Sequence, residues 1–230
     1  MIALALMLAV SANAVSLGKQ LYAVHCVSCH GANLQGGVRA PALVDVDAAM
    51  VDFQLQTGRM PTQGPYEEEF HKQAQFPPDQ IAAIEAYISS RSSGSKTIPN
   101  PSPPASPPPQ MLVHGRELYE ENCEHCHSAT GRGDGATAYG NAAPSLMMSD
   151  AREIAEAVRE GPDVMPPFGA RVLSDNDVRD ISAYVHYLQT AQYNPGGLQL
   201  ANWGPVSEGF IAWVVGLAVL VLFIRRIGEG

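Results

Sequence analysis

The sequence predicts an all-α protein: two tandem helical domains joined by a proline-rich linker, followed by one membrane-spanning helix. Three observations carry this. First, a pattern recurs at a fixed offset of 97 positions, the spacing between Cys26 and Cys123. Gly18-Lys19-Gln20-Leu21-Tyr22 returns as Gly115-Arg116-Glu117-Leu118-Tyr119, and Ile84, Ala86 and Tyr87 return as Ile181, Ala183 and Tyr184. The matches bracket each cysteine motif on both sides, so the duplicated unit is a domain. Second, the apolar positions follow helical spacing, and no segment alternates as a strand does. Third, residues 206–224 are almost uninterrupted apolar sequence.

The elements follow in chain order. Residues 1–14, "MIALALMLAVSANA", are apolar but too short to cross a bilayer alone, which takes about 20 residues. They end in Ala12-Asn13-Ala14, a small-residue cleavage pattern, and are expected to be an export signal or a truncated N-terminal anchor. Domain one is expected over 15–91. Residues 17–25 read as a short amphipathic helix, 47–56 as a second, and a third starts at Pro77-Pro78 with Ile81, Ile84 and Ile88 on one face. The linker is placed at 92–112. Its stretch 92–110, "SSGSKTIPNPSPPASPPPQ", has seven prolines, cannot form a core, and favours extended polyproline conformation as a semi-rigid spacer.

Domain two is expected over 113–193. A helix over 150–160 is stopped by Gly161-Pro162, and Ser174 caps another with Val178, Ile181, Val185 and Leu188 along its stripe. A glycine-rich approach, 194–205, leads to a transmembrane helix over 206–227. Its apolar stretch of about 19 residues at ~1.5 Å each spans roughly 28 Å, close to a hydrocarbon core. Trp203 and Trp213 suit the outer interface, and Arg225-Arg226 mark the cytoplasmic side, which leaves both domains extracytoplasmic.

Composition narrows the classes. The net charge of −9 over 230 residues argues against a nucleic-acid binder. Charge is uneven: five basic and eight acidic residues in 15–91 give −3, whereas six and thirteen in 113–193 give −7. An acidic second domain suits either a basic docking partner or plain solvation. Glu67-Glu68-Glu69 reads as a solvated face, and Arg132-Gly133-Asp134 as part of a glycine-rich turn. All four cysteines lie in the two motifs, so no disulfide framework exists.

Those motifs, "CVSCH" and "CEHCH", are Cys-x-x-Cys-His, the attachment site of c-type haem. Two thiols about one helical turn apart can each form a thioether to one macrocycle, and the following histidine then lies under the iron. Cys26, Cys29 and His30 are expected to hold one haem, and Cys123, Cys126 and His127 a second. A thioredoxin-type motif would want a βαβ context. A structural zinc site would want a fourth ligand from elsewhere in each unit.

Met60 in "TGRMPT" and Met165 in "GPDVMPPF" are the candidate sixth ligands. Each precedes a proline, which biases its backbone toward an extended conformation, and each falls at a similar place in its unit. Thioether ligation raises the potential and leaves no open iron position, so no catalytic residue is assigned. His25, His71, His114, His125 and His186 lack equivalents in both units and read as ordinary histidines. Pro41 and Pro144 sit where a backbone carbonyl could orient each proximal histidine. The fold class is thereby two tandem class I cytochrome c-type domains with an anchor.

With "GKQLYAVHCVSCHGANLQGG", "TGRMP", "CEHCH", "MPPF" and "PGGLQLANWGPVSEGFIAWVVG", the chain resembles a known family across roughly residues 17–228. It is similar to the dihaem cytochrome cc subunit of the actinobacterial cytochrome bcc complex, the menaquinol–cytochrome c reductase. The resemblance implies two covalent haem c groups, with His30 and Met60 as one axial pair and His127 and Met165 as the other. It implies partnership with a Rieske iron–sulfur subunit and a cytochrome b subunit, and electron delivery to an aa3-type oxidase in the same membrane. The chain would be the electron-transfer subunit of an oxidoreductase, without a bond-making site of its own. Family members usually begin with a longer charged anchor than the fourteen apolar residues here. A free membrane-anchored dihaem carrier and a dihaem peroxidase are the competing classes.

Overall fold

The computed structural model describes residues 2–62, 71–133, 143–190 and 205–228. Among these residues the fold is helical, with no strand, in agreement with the all-α expectation. The Glu67-Glu68-Glu69 run, Asp134 and most of the glycine-rich approach lie outside the described residues. Domain one contains α1 (Ile2–His25), α2 (Val27–His30), α3 (Ala48–Gln56) and α4 (Pro78–Ser89). Domain two repeats the order with α5 (Pro109–Asn122), α6 (Glu124–His127), α7 (Ala151–Glu160) and α8 (Asp175–Gln189). The final helix is α9 (Pro205–Gly228).

Two boundaries differ from the sequence reading. The first helix starts at Ile2 rather than near residue 17, because nothing between Ala12 and Leu17 breaks it: no proline or glycine intervenes before Gly18. The helix of domain two begins at Pro109, inside the expected linker. Proline is well tolerated in the first turn of a helix, where its missing N–H has no partner to lose. The helix expected to be capped by Ser174 starts there, with Ser174 accepting from the Asp177 N–H. Asp150, read as the first helical residue, is instead the cap of α7 and accepts from the Glu153 N–H, and each completes a capping box.

In each domain the first and last helices cross and bury the core between them. Domain one packs Tyr22, Leu34, Val51, Leu55, Ile81, Ile84 and Ile88 together. Domain two packs Tyr119, Ile154, Val158, Val178, Ile181 and Val185. The predicted Ile81, Ile84 and Ile88 stripe is buried, as are Val178, Ile181 and Val185 of the second stripe, whose fourth member Leu188 is partly buried against the same core. The crossing depends on one matched glycine per domain. A Cβ at Gly18 would run into the Ala83 carbonyl, and one at Gly115 into the Asp180 carbonyl. Gly115→Val is therefore expected to destabilise domain two by about 1–3 kcal/mol through overpacking. The measurement is the denaturant midpoint of the purified protein, and an unchanged midpoint would contradict the crossing.

The linker is tied at both ends. The Ser92 hydroxyl donates to the Val46 carbonyl at 2.6 Å, and the Ser95 N–H to Asp47 Oδ1 at 2.7 Å. Further on, Pro103, Pro104 and Pro107 overlie a groove of about 450 Å³ floored by Met147, Ile154 and Ala183. The two domains also touch directly, where α3 packs on α7. In α9, residues Gly209–Gly228 form an apolar stretch long enough to cross a membrane, and every side chain described there is exposed.

Candidate functional site

Each Cys-x-x-Cys-His motif sits at the junction of a long helix and a single short turn. Cys26 follows α1, and its N–H bonds the Tyr22 carbonyl; the His30 N–H bonds the Cys26 carbonyl. Cys123 and His127 repeat this, with 2.8 Å from the Cys123 N–H to the Tyr119 carbonyl and 2.9 Å from the His127 N–H to the Cys123 carbonyl. The helical turn carries the two sulfurs of each motif about one turn apart, with the histidine next in line. A buried tyrosine then pins the end of the motif. The Tyr22 hydroxyl donates to the Gly31 carbonyl at 2.8 Å, and Tyr119 to the Ser128 carbonyl at 2.7 Å. Burial, first of all, pushes the Tyr22 phenol up to about 12, so it remains a neutral donor.

The chain leaves each motif through left-handed backbone. Gly36 at φ 71° and Gly133 at φ 83° turn it back, and their N–H groups bond the His30 and His127 carbonyls. That return brings a proline carbonyl to each histidine. His30 Nδ1 donates to the Pro41 carbonyl at 2.9 Å, and His127 Nδ1 to the Pro144 carbonyl at 2.9 Å. A carbonyl can only accept, so the proton belongs on Nδ1 in both rings. Nε2 is left with a free lone pair, the state a metal-binding histidine needs. His127 is buried, which lowers its basicity, an effect the Pro144 hydrogen bond partly opposes.

The cysteine environment separates the chemical alternatives. Burial, followed by the charge of the neighbouring motif cysteine, pushes the Cys26 thiol up to about 11 and Cys123 up to about 12. Among the described residues, no group of three or more His, Cys, Asp or Glu gathers as a zinc site requires. The donor set fits haem: paired thiols on one turn, a tautomer-locked imidazole, and apolar walls. When bound, haem supplies a one-electron iron couple.

The two candidate methionines border the same cores as the motifs. Met60 and Cys26 both pack against the domain-one cluster, and Met165 and Cys123 against that of domain two. Each methionine loop begins at a left-handed glycine, Gly58 at φ 64° and Gly161 at φ 60°. Residues that sequence reasoning missed hold these loops. Gln75 Nε2 donates to the Pro61 carbonyl at 2.7 Å. Arg159 Nη1 donates to the Phe168 and Leu173 carbonyls, both at 2.8 Å, while Nη2 reaches Asp175 at 2.7 Å. Only a cation in the last turn of α7 hinted at Arg159, and nothing marked Gln75.

Four of the five rival histidines are engaged elsewhere, and the fifth, His125, is exposed. His114 Nδ1 lies 3.0 Å from Asp180, His71 pairs with Glu153 at 3.6 Å, and His25 meets the Phe76 ring edge-on. His186 Nδ1 lies 3.3 Å from the Gln189 side chain.

Comparison with known proteins adds the family. Residues 15–92 match the cytochrome c family, and residues 110–185 match the family described as cytochrome c oxidase, cbb3-type, subunit III. A cytochrome bc1 complex cytochrome c subunit of Mycobacterium tuberculosis is 38% identical over 208 residues, covering 89% of this chain and 74% of that protein. Its counterpart in Corynebacterium diphtheriae is 36% identical over 227 residues, covering 92% and 79%. A cbb3-type cytochrome c oxidase subunit FixP of Sinorhizobium medicae is more distant, at 24% over 196 residues, covering 76% and 61%. Two cytochrome c domains, a C-terminal apolar helix and this degree of identity place the chain in the family of cytochrome c subunits of the cytochrome bc1 complex.

Proposed function

We propose that this chain is the dihaem, membrane-anchored electron relay of a respiratory quinol–cytochrome c reductase. It takes electrons from a Rieske iron–sulfur subunit, beside a cytochrome b subunit, and passes them to an aa3-type oxidase. The observation that carries the reading is the doubled histidine–carbonyl geometry, with both Nδ1 atoms held at 2.9 Å and both Nε2 atoms free to ligate. Cys26 and Cys29 anchor one haem and Cys123 and Cys126 the other. His30 with Met60, and His127 with Met165, are the axial pairs. The chain itself orients these groups, shields them with two apolar cores and keeps each imidazole in one tautomer. It makes and breaks no substrate bond. The domains, over 15–91 and 113–193, face the extracytoplasmic side, with Arg225 and Arg226 at the cytoplasmic end of α9.

The match of residues 110–185 to the cbb3-type oxidase family favours a second reading, a membrane-anchored carrier serving another reductase or oxidase. A reduced-minus-oxidised absorption spectrum separates the two. The tagged protein is purified from native membranes in mild detergent. Bands of b-type and a-type haem beside the c-type band are expected. A c-type band alone, reproducible across gentle detergents, would favour the separate carrier.

A further inference from the structure

The contact between the two domains is built from charge. Asp52 on α3 and Glu156 on α7 are 1% and 0% exposed, although each is a carboxylic acid. Arg152 reaches both, at 2.6 Å to Asp52 Oδ2 and 3.1 Å to Glu156 Oε1. Both carboxyl groups are therefore buried against a single guanidinium, and two ionised carboxylates sharing it could only accept, not donate to each other. Among the described residues, no donor reaches Glu156 Oε2. One arginine shared by two buried acids leaves a negative charge that burial disfavours.

The surroundings lean the same way. Domain one brings Asp47 and Asp52 with α3, Arg59 and His71 after it, and Glu85 from α4. Domain two brings Asp150, Arg152, Glu153, Glu156 and Glu160 with α7. Carboxyl groups outnumber cations across this face.

We propose that Asp52, Arg152 and Glu156 form a proton-dependent latch between the two cytochrome c domains, with Glu156 protonated while α3 and α7 are packed and the contact loosening when that proton is lost. Asp52, Arg152 and Glu156 act as positioning residues, setting where one domain lies against the other. The latch rests on the two-domain architecture and not on the electron relay.

The pH window follows from Glu156. Burial, then the hydrogen bond and charge of Asp52, raises its pKa to about 9, against a partial lowering by Arg152. Burial also lifts Glu153 and Glu160 to about 7, so both add in the same direction. A group that binds its proton more tightly in the packed form favours packing most at low pH. The advantage is complete below the ordinary carboxyl range and declines as pH rises toward 9. For one proton the packing equilibrium falls about tenfold per pH unit until pH nears 9, or about five-hundredfold from pH 6 to pH 9.

The test uses the full-length, haem-loaded protein in detergent, with spin labels at Gln20→Cys and Glu117→Cys. These exposed sites correspond across the repeat, one per domain. The iron is kept ferrous and so diamagnetic, and the inter-label distance is measured by pulsed electron resonance at pH 6 and pH 10. A narrow distribution at pH 6 that broadens toward longer distances at pH 10 is expected. Glu156→Gln keeps a donor toward Asp52 but cannot lose it, and should stay narrow at both pH values. Identical wild-type distributions at the two pH values would overturn the latch. So would a Glu156→Gln protein that broadens as the wild type does. Label uptake by the chain without added cysteines reports separately on whether the native thiols are blocked, and hence on the haem reading.

Discussion

Replacing Cys26 and Cys29 together with alanine should leave one covalently held haem per chain in place of two. The unit-two signal should remain close to full strength. The reason is the division of the cores: the clusters around Tyr22 and Tyr119 share no residue, so each motif is supported by its own helices. The bonds that brace the first motif run within domain one, from Tyr22 to Gly31 and from His30 to Pro41, and none passes through the α3–α7 contact. Haem per polypeptide, measured after denaturing extraction, checks the outcome. Two retained haems would remove these cysteines from the attachment chemistry, and loss of both would mean that the domains do not mature separately.

Met165→Ala should abolish the methionine-to-iron absorption band of one haem and lower its potential on the order of a hundred millivolts, a modest part of the ~0.8 V that axial ligation spans. The second haem should keep its own band. Met165 lies on a loop fixed by Arg159 through two carbonyls, so truncating the side chain removes a sulfur without releasing the backbone that carries it. A spectroelectrochemical titration of the variant reads both quantities. An unchanged spectrum would reassign the sixth position, and restoration of a new band by added imidazole would show a vacated site.

The helices with regular apolar stripes are legible in the residue order, because burial of one face imposes the period. Ile81, Ile84 and Ile88 show it in α4, and Val178, Ile181 and Val185 in α8. The start of α8 is legible through Ser174, since a cap is a local bond between near neighbours. The proline carbonyls beside His30 and His127 are only suggested by the sequence, since the two loops differ in length, 11 residues against 17, and the histidine bonds appear only in the fold. The interdomain face is not legible at all. Asp52 and Glu156 look like solvated acids in a helix, and only the meeting of two distant segments buries them. Gln75 and Arg159 escape for a related reason, since both bond to backbone carbonyls, which carry no residue identity. The helical extension to Ile2 reflects the absence of a breaker, a weak cue beside a cleavage-like Ala12-Asn13-Ala14.

The linker's anchorage has a consequence for how strong the domain contact must be. Ser92 and Ser95 are bound to domain one, and α5 starts at Pro109, so the tether between fixed points is residues 96–108. Even fully extended as polyproline, it reaches only about 40 Å, at ~3.1 Å per residue. A tether of that length holds the second domain at an effective concentration on the order of millimolar. Docking of α3 on α7 is then an intramolecular event. An interface with a millimolar affinity, too weak to join two separate proteins in the cell, would be half occupied or better when its halves are leashed this closely. The chain can therefore keep its domains together with a small, polar contact, and a single proton is enough to tip it.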